Sequence, residues 1–325
     1  MSSYIIGSFN MYKFNNRKDD TINKELSRIA TIIKSEKFDV VAMQEVLNEN
    51  AVKELAGKLG SNWAYCWESP KEYSRSSAEG YAYIWNKRRL DLVQANSNPK
   101  IANQYRVKGN RQLASGGLIR PPYIARFTPK GKLGGSNFEI RLINTHIIFN
   151  SPSGLTEKIS SNALRDEEFR VLTKEIYPRV ADKRYGNNMP AYTILLGDYN
   201  LCISSPGHKV PEVSDITSKR RILTVQNLPT SLKKPQNQSA DSSDDEEEEN
   251  TVETSLGQYD FYSKDYDHFS YDEELKQKLY LANSRVDAIT KYPSTKAPND
   301  DALTVFRREV SDHVPIKLEI NLKKR

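Results

Sequence analysis

The stretch YTILLGDYNL, residues 192–201, joins an apolar run to two side chains that can take part in chemistry. Tyr192–Leu196 is typical of a short buried strand, and Gly197 marks the point where the chain turns out of the sheet. The carboxylate of Asp198 and the carboxamide of Asn200 then follow the strand end, where functional side chains are often found. The same residues also suit an ordinary Asx turn, so this stretch alone does not decide between the two.

Polar residues also stand next to other predicted strands. Asn10 follows YIIGSF, Glu45 follows VVAMQ, His146 follows RLINT, and the pair Asp312–His313 precedes VPIKLEI. Carboxylate and amide oxygens suit a hard divalent cation such as Mg²⁺ or Mn²⁺, whereas imidazoles suit general acid–base work near neutral pH. These positions therefore predict a metal-assisted site in which two of the four histidines take part.

Hydrophobic periodicity predicts more strands than helices, and each helix is followed by one or more strands. This order predicts an α/β fold of four layers, in which two mainly antiparallel sheets pack together and helices cover their outer faces. Three helices are predicted. The first carries the apolar stripe Ile22, Leu26, Ile29 and Ile33, the second spans Ala51–Leu59, and the third occupies 157–183. The predicted strands are Tyr4–Phe9, Phe38–Met43, Trp63–Trp67, Tyr81–Trp85, Leu118–Phe127, Phe138–Thr145, Tyr192–Leu196, Ile222–Val225, Arg285–Ile289, Leu303–Phe306 and Pro315–Leu318.

The charge of the chain is unevenly distributed. Its 325 residues carry a net charge of +6, yet the run DSSDDEEEEN at 241–250 holds seven acidic residues and no basic one. The remainder therefore carries about +13, which favours polyanionic partners such as nucleic acid. Residues 229–257 contain few apolar side chains and are predicted to form a disordered loop. This loop is interpreted as a solvated insertion, with an electrostatic mimic of nucleic acid as the alternative.

Composition also narrows the cellular setting. No stretch approaches the roughly 20 apolar residues needed to span a bilayer, and MSSYIIGSFN lacks the pattern of a secretory signal. Only two cysteines occur, Cys66 and Cys202, which fits a reducing compartment. We therefore expect a cytoplasmic protein without a membrane partner.

The ordered set of motifs resembles the endonuclease/exonuclease/phosphatase superfamily, and within it the deoxyribonuclease I-like enzymes. The similarity extends from Asn10 to His313, which implies one domain over 1–325 although length alone would favour two. Three further segments fit the same branch: AEGYAYIWN supplies Glu79, GGLIRPPYIARF supplies Arg120, and SRVDAI supplies Asp287.

The resemblance implies a role for each residue around the phosphate and the metal. Glu45, Asn10 and Asp312 are expected to hold Mg²⁺, with Mn²⁺ as an alternative. Asn200 and Arg120, together with Asn10, are expected to position the phosphate.

The resemblance also implies a division of the proton transfers. His313, oriented by Asp287, is expected to remove a proton from the attacking water. His146, paired with Glu79, is expected to protonate the leaving oxygen. Other members of the superfamily use the carboxylate that corresponds to Asp198 as the base, so the assignment of the base stays open.

The resemblance implies an intracellular endonuclease that cleaves DNA, and it leaves room for an unidentified inhibitor or regulatory partner. Alternatives are a ribonuclease or deadenylase-like nuclease, a phosphoesterase acting on inositol phosphates or phospholipids, and an inactive nucleic-acid-binding module. The chain departs from the deoxyribonuclease I-like pattern at Leu47 and Ser77, where those enzymes carry groove-reading arginine and tyrosine side chains. The way in which this chain grips duplex DNA is therefore in question.

Overall fold

The computed structural model describes eleven stretches of the chain: 3–16, 23–69, 79–95, 98–106, 117–130, 137–149, 160–185, 189–202, 220–225, 228–233 and 261–322. Within them, the strands are β1 (Tyr4–Phe14), β2 (Val40–Val46), β3 (Trp63–Glu68), β4 (Gly80–Asn86), β5 (Leu90–Leu92), β6 (Lys100–Ile101), β7 (Tyr123–Pro129), β8 (Glu139–His146), β9 (Ala191–Asp198), β10 (Ile222–Thr224), β11 (Asp267–Asp272), β12 (Leu279–Arg285) and β13 (Ile316–Leu322).

The α-helices of the same stretches are α1 (Leu26–Ser35), α2 (Glu49–Leu59), α3 (Ser161–Val171), α4 (Tyr177–Asp182), α5 (Glu273–Lys278), α6 (Ala288–Lys291) and α7 (Ala302–Glu309). A π-helical turn, Leu172–Ile176, joins α3 to α4 into one rod, as the helix predicted over 157–183 requires.

The strands form two sheets of similar design. The first has the order β12-β13-β1-β2-β4-β3, and the second has the order β10-β11-β9-β8-β7-β5, with β6 also pairing β7. Each sheet contains one parallel pair, β1 with β2 and β8 with β9, and its other pairs are antiparallel. These parallel pairs matter for function, because the carboxyl ends of their strands carry four of the polar residues singled out from the sequence.

Apolar side chains hold the layers together in three clusters. The middle cluster fills the space between the sheets and contains aromatic residues such as Tyr83 and Phe127. Isoleucines of α1, including Ile29 and Ile33, pack on the outer face of the first sheet. Phe169 and its neighbours on the α3–α4 rod pack on the outer face of the second sheet. The predicted four-layer α/β sandwich is therefore confirmed.

Gly197 at the end of β9 is required by sterics. Its φ of +145° lies in a region that favours glycine, and a Cβ at this position would lie 1.9 Å from the carbonyl oxygen of Thr145 on β8. The missing side chain lets β8 and β9 stay paired up to His146 and Asp198, which stand opposite each other in the register.

The structure corrects several predictions made from local pattern. Leu303–Phe306 lies within helix α7, and Arg285–Ile289 covers the last residue of β12 and the start of α6. Helix α1 begins at Leu26, and Ile22 lies outside the described residues.

The predicted disordered loop is wrong at its beginning. Thr230 and Leu232 are buried, although residues 234–257 of the predicted loop, with the acidic run, lie outside the described residues. The backbone N–H of Leu232 donates to the carbonyl oxygen of Asp312 over 2.8 Å. The start of the predicted loop therefore packs beside Asp312 and His313.

None of the helices described is long and apolar enough to cross a membrane.

Candidate active site

The candidate site lies where the two sheets meet at the ends of their parallel strands. Nδ2 of Asn10, on β1, donates to Oε1 of Glu45 over 3.0 Å and to Oδ2 of Asp198 over 2.9 Å. Glu45 belongs to the first sheet and Asp198 to the second, so one carboxamide joins carboxylates from both sheets. The structure thus brings Asn10 next to Glu45, 35 positions away in sequence, and next to Asp198, 188 positions away.

Two residues at the candidate site, Glu45 and Asn200, have a left-handed backbone conformation, which costs free energy for a residue with a side chain. Glu45 has φ of 55° and Asn200 has φ of 50°. Local hydrogen bonds hold the Asn200 turn, because its N–H donates to Oδ1 of Asp198 over 2.8 Å and its Nδ2 to the carbonyl oxygen of Ile147 over 2.7 Å. The Asx turn and the functional interpretation of this motif are therefore compatible.

His146, at the end of β8, has two charged partners. Oε2 of Glu79 lies 3.4 Å from its Nδ1, and Nη1 of Arg120 lies 2.8 Å from the same nitrogen. Nη2 of Arg120 also forms an ion pair with Oε2 of Glu79 at 2.8 Å. The guanidinium therefore competes with the imidazole for the carboxylate. Although burial acts against it, these partners hold the pKa of Glu79 down at about 2.

His313 is held by a carboxylate that the sequence analysis did not identify. Its Nδ1 lies 2.7 Å from Oδ2 of Asp267, a fully buried residue at the start of β11. The expected pairing with Asp287 is wrong, because Asp287 accepts hydrogen bonds from the hydroxyls of Tyr262 and Thr290 instead. Strand β11 runs beside β9 with Asp267 opposite Asp198, and this register delivers its carboxylate to His313.

The two imidazoles face one carboxylate. Nε2 of His146 and Nε2 of His313 each lie 3.7 Å from Oδ2 of Asp198. Burial lowers the pKa of His313, but Asp267 and Asp198 outweigh it and raise the pKa to about 10. Burial and Arg120 oppose the carboxylates at His146, whose pKa is raised as well.

The acidic groups near Glu45 fit a divalent cation. Burial, together with the charges of Glu79 and Asp312, outweighs the charge of His146 and raises the pKa of Glu45, as expected where carboxylates lie close together. Oδ1 of Asp312 is buried and has no hydrogen-bond partner among the described residues. Candidate ligand atoms of Glu45, Glu79 and His146 also lie within 4.8 Å of one another, but Arg120 already engages Glu79. The ligands expected from the sequence are Glu45, Asp312 and Asn10, and Asp312 likewise has an arginine partner, since its Oδ2 lies 3.7 Å from Nη2 of Arg307. Glu45 is common to both candidate ligand sets.

A buried polar link fixes the spacing of the two sheets beneath the site. Nε2 of Gln44, the residue before Glu45, donates to Oδ1 of Asn144 over 2.6 Å, and Nδ2 of Asn144 donates to the carbonyl oxygen of Met43 over 3.0 Å. Gln44 and Asn144 are both fully buried. This link crosses between the sheets two residues before His146.

Glu168 on α3 is a second residue that the sequence analysis missed. Its carboxylate accepts from the N–H of Ile119 over 2.6 Å and from the N–H of Ile148 over 3.2 Å. Ile119 precedes Arg120, and Ile148 lies two residues after His146. Glu168 therefore ties together the two segments that present Arg120 and His146.

Two other residues singled out by their sequence, His268 and Ser77, are not part of the contacts described above. His268 is fully buried, and its two ring nitrogens lie next to the carbonyl oxygens of Leu201 and Val225. Ser77, one of the two departures from the deoxyribonuclease I-like pattern, lies outside the described residues.

Two packed mixed sheets with this polar cluster at the ends of their parallel strands define a deoxyribonuclease I-like fold. The chain belongs to the endonuclease/exonuclease/phosphatase family, whose sequence model matches residues 7–216. None of the curated proteins compared with the sequence matches it.

Solved structures show the same fold at low sequence identity. An endonuclease/exonuclease/phosphatase family protein from Bacteroides thetaiotaomicron is 15% identical, with a TM-score of 0.57 and 99% of each chain covered. A mannosyl-6-phosphatase from the same organism is 15% identical, with a TM-score of 0.55 over 98% of this chain and 99% of that one. D. rerio TDP2, solved with a single-strand DNA product, is 13% identical, with a TM-score of 0.55 over 99% of this chain and 100% of that one. At these identities the similarity establishes the fold alone.

Proposed function

We propose that the protein is a metal-dependent phosphodiester hydrolase that cleaves nucleic acid, with DNA as the expected substrate and internal cleavage as the expected mode. The observation that carries the proposal is the placement of two imidazoles near one oxygen of Asp198, each with its Nε2 at 3.7 Å from Oδ2. Hydrolysis of a phosphodiester needs a proton removed from water and a proton delivered to the leaving oxygen, and two positioned imidazoles suit this pair of tasks.

The hydrogen bonds favour different tasks for the two histidines. His313 has Asp267 as a close anionic partner and retains its proton at neutral pH, which suits a donor to the leaving oxygen. The base is then His146 or Asp198, contrary to the expectation that His313 takes this role. Arg120 and Asn200 border the same cleft and supply N–H donors for phosphate oxygens.

A divalent cation fits beside Glu45, Asn10 and Asp312, with Mg²⁺ expected and Mn²⁺ as the alternative. When bound, such a cation neutralises negative charge on the phosphate in the transition state. The protein's own part is to hold the oxygen ligands in place, and the hydrogen bond from Asn10 to Glu45 does this.

Nucleic acid is favoured as substrate by the charge of the chain, since the residues outside 241–250 carry about +13. The similarity to D. rerio TDP2, solved with single-strand DNA product, points the same way. We further propose one domain over 1–325, because Asn10, Asp198 and His313 converge on one site. A cytoplasmic location is supported by the two free thiols, Cys66 and Cys202.

A substrate panel tests this proposal. Plasmid DNA, single-stranded DNA, RNA, an inositol polyphosphate and mannose 6-phosphate are each incubated with Mg²⁺, with Mn²⁺ and with EDTA. We expect cleavage of nucleic acid that EDTA abolishes and excess Mg²⁺ restores. Turnover of mannose 6-phosphate or the inositol polyphosphate without nucleic-acid cleavage would replace the nuclease assignment by a phosphatase.

A further inference from the structure

An aromatic pair, the exposed Phe149 and the half-buried Tyr266, lies near the cleft. Phe149 is 42% exposed and is one of three large hydrophobic side chains exposed among the described residues. Its ring meets Tyr266 edge to face, with 6.2 Å between the ring centroids. Phe149 lies three residues after His146, and Tyr266 directly precedes Asp267, so both rings belong to segments that carry catalytic groups.

The pair lies beside Asn200. The N–H of Tyr199 donates to the carbonyl oxygen of Tyr266 over 2.8 Å, which fixes Tyr266 next to the end of β9. On the other side, Nδ2 of Asn200 donates to the carbonyl oxygen of Ile147, two residues before Phe149. Because three residues span at most about 10 Å, Phe149 lies within about 10 Å of His146 along the chain.

The ring of Phe149 is supported from below. The guanidinium carbon of Arg165 lies 4.8 Å from the ring centroid, and Nη1 of Arg165 lies 3.5 Å from the carbonyl oxygen of Phe149. Arg165 is buried and its guanidinium also bonds the side chain of Asn162, so the support is fixed rather than solvated. A ring fixed in this way and still partly open to solvent can receive a flat ligand with little loss of conformational entropy.

We propose that the ring of Phe149, supported by Tyr266, forms a stacking platform for the nucleobase next to the phosphate in the cleft. Bases stack on aromatic side chains with little regard to sequence, but only when they are unpaired. The substrate that fits is therefore single-stranded or locally unpaired nucleic acid. This inference rests on the proposed nuclease function and narrows its substrate class.

Binding tests the platform separately from turnover. The affinity for a fluorescent oligothymidylate is measured by anisotropy in EDTA for the wild type, Phe149→Leu, Tyr266→Leu and Phe149→Tyr. We expect Phe149→Leu to weaken binding about tenfold, the scale of one lost base–aromatic stack, while Phe149→Tyr restores it. Tyr280→Leu is the matched control, because Tyr280 is 56% exposed on β12 at the edge of the other sheet.

Two further measurements identify what the platform receives. The slope of log affinity against log salt should be the same for Phe149→Leu and the wild type, because no phosphate contact is removed. An oligonucleotide of abasic sites should bind Phe149→Leu and the wild type equally. If Phe149→Leu weakens the abasic oligonucleotide as much as oligothymidylate, the ring contacts sugar or phosphate and the base platform is wrong.

Turnover separates this inference from the proposed function. Cleavage of oligothymidylate by the wild type with no loss of affinity in Phe149→Leu or Tyr266→Leu would overturn the platform and leave the nuclease intact. Binding that depends on Phe149 without cleavage of any nucleic acid would support the platform and overturn the nuclease. Absence of both binding and cleavage would overturn both.

Discussion

The two histidines of the cleft lie at the same distance from the same carboxylate, but different partners hold them. On the second sheet, His146 shares Glu79 with the guanidinium of Arg120. On the first sheet, His313 has Asp267 as its close partner at 2.7 Å. Two imidazoles in similar positions thus acquire different proton affinities from the carboxylate that lies behind each of them.

The largest expected effect comes from removing either imidazole. We expect His146→Ala and His313→Ala each to lower kcat/KM about a thousandfold, the scale of a lost general acid or base. His313→Ala should also lower the melting temperature, because the buried carboxylate of Asp267 loses its close partner. Activity is therefore compared at a temperature at which each variant is folded. Either variant retaining near-wild-type turnover would remove that histidine from the mechanism and end the comparison.

The next effect separates the observed partner of His313 from the expected one. We expect Asp267→Asn to lower kcat about a hundredfold, because the amide removes the anion that holds the proton on His313. Asp287→Asn, the matched control, should stay close to the wild type, since Asp287 bonds Tyr262 and Thr290. A larger loss in Asp287→Asn than in Asp267→Asn would contradict the structural assignment.

The same pair predicts a pH dependence of stability in the metal-free protein. Folding raises the pKa of His313 from 6.5 to about 10, so its contribution is fully present below pH 6.5 and is lost as the pH rises through about 10. The difference in melting temperature between the wild type and Asp267→Asn should therefore shrink over this interval. NMR titration of the His313 ring in EDTA checks the pKa itself, and a value near 6.5 in the wild type would refute the electrostatic argument.

The smallest effect concerns Glu168, which ties the Arg120 and His146 segments together. Glu168→Ala leaves two buried N–H groups without an acceptor, and we expect kcat to fall about tenfold with a smaller change in KM. Glu168→Gln retains one acceptor and should recover part of the loss. Glu175→Ala is the control, because Glu175 lies in the π-helical turn after α3 and forms a half-buried ion pair with Arg170. Equal losses in the alanine and glutamine variants would contradict the tethering role.

The fold and the centre of the site were predictable because their signals are local. Asn10, Glu45 and Asp198 each follow an apolar strand that the sequence shows clearly, and the family pattern puts them in order. Asp267 was not predictable in this way, because its segment DHFSYD is polar and its position depends on pairing with β9. The helix at Ala302–Glu309 was missed because LTVF has β-branched and aromatic content that tertiary packing overrides.

Glu168 was not identified from the sequence for a different reason. A glutamate on a helix rich in charged residues is read as a surface residue, and only the structure shows that it is 1% exposed and faces two loops. No periodicity distinguishes such a residue from its exposed neighbours. Residues such as Glu168, which hold the backbone of site segments in place by hydrogen bonds, are therefore the ones that sequence patterns identify least well.

The hydrogen bond between Gln44 and Asn144 has a consequence for how the protein selects its substrate. The bond is buried between the sheets, directly below Glu45 and His146, and it fixes the separation of the walls before any ligand arrives. A cleft of preset width needs no closing movement to assemble its catalytic groups. Discrimination among phosphoesters then takes place by what can enter between two rigid walls, so changes of specificity are expected from rim residues rather than from hinges.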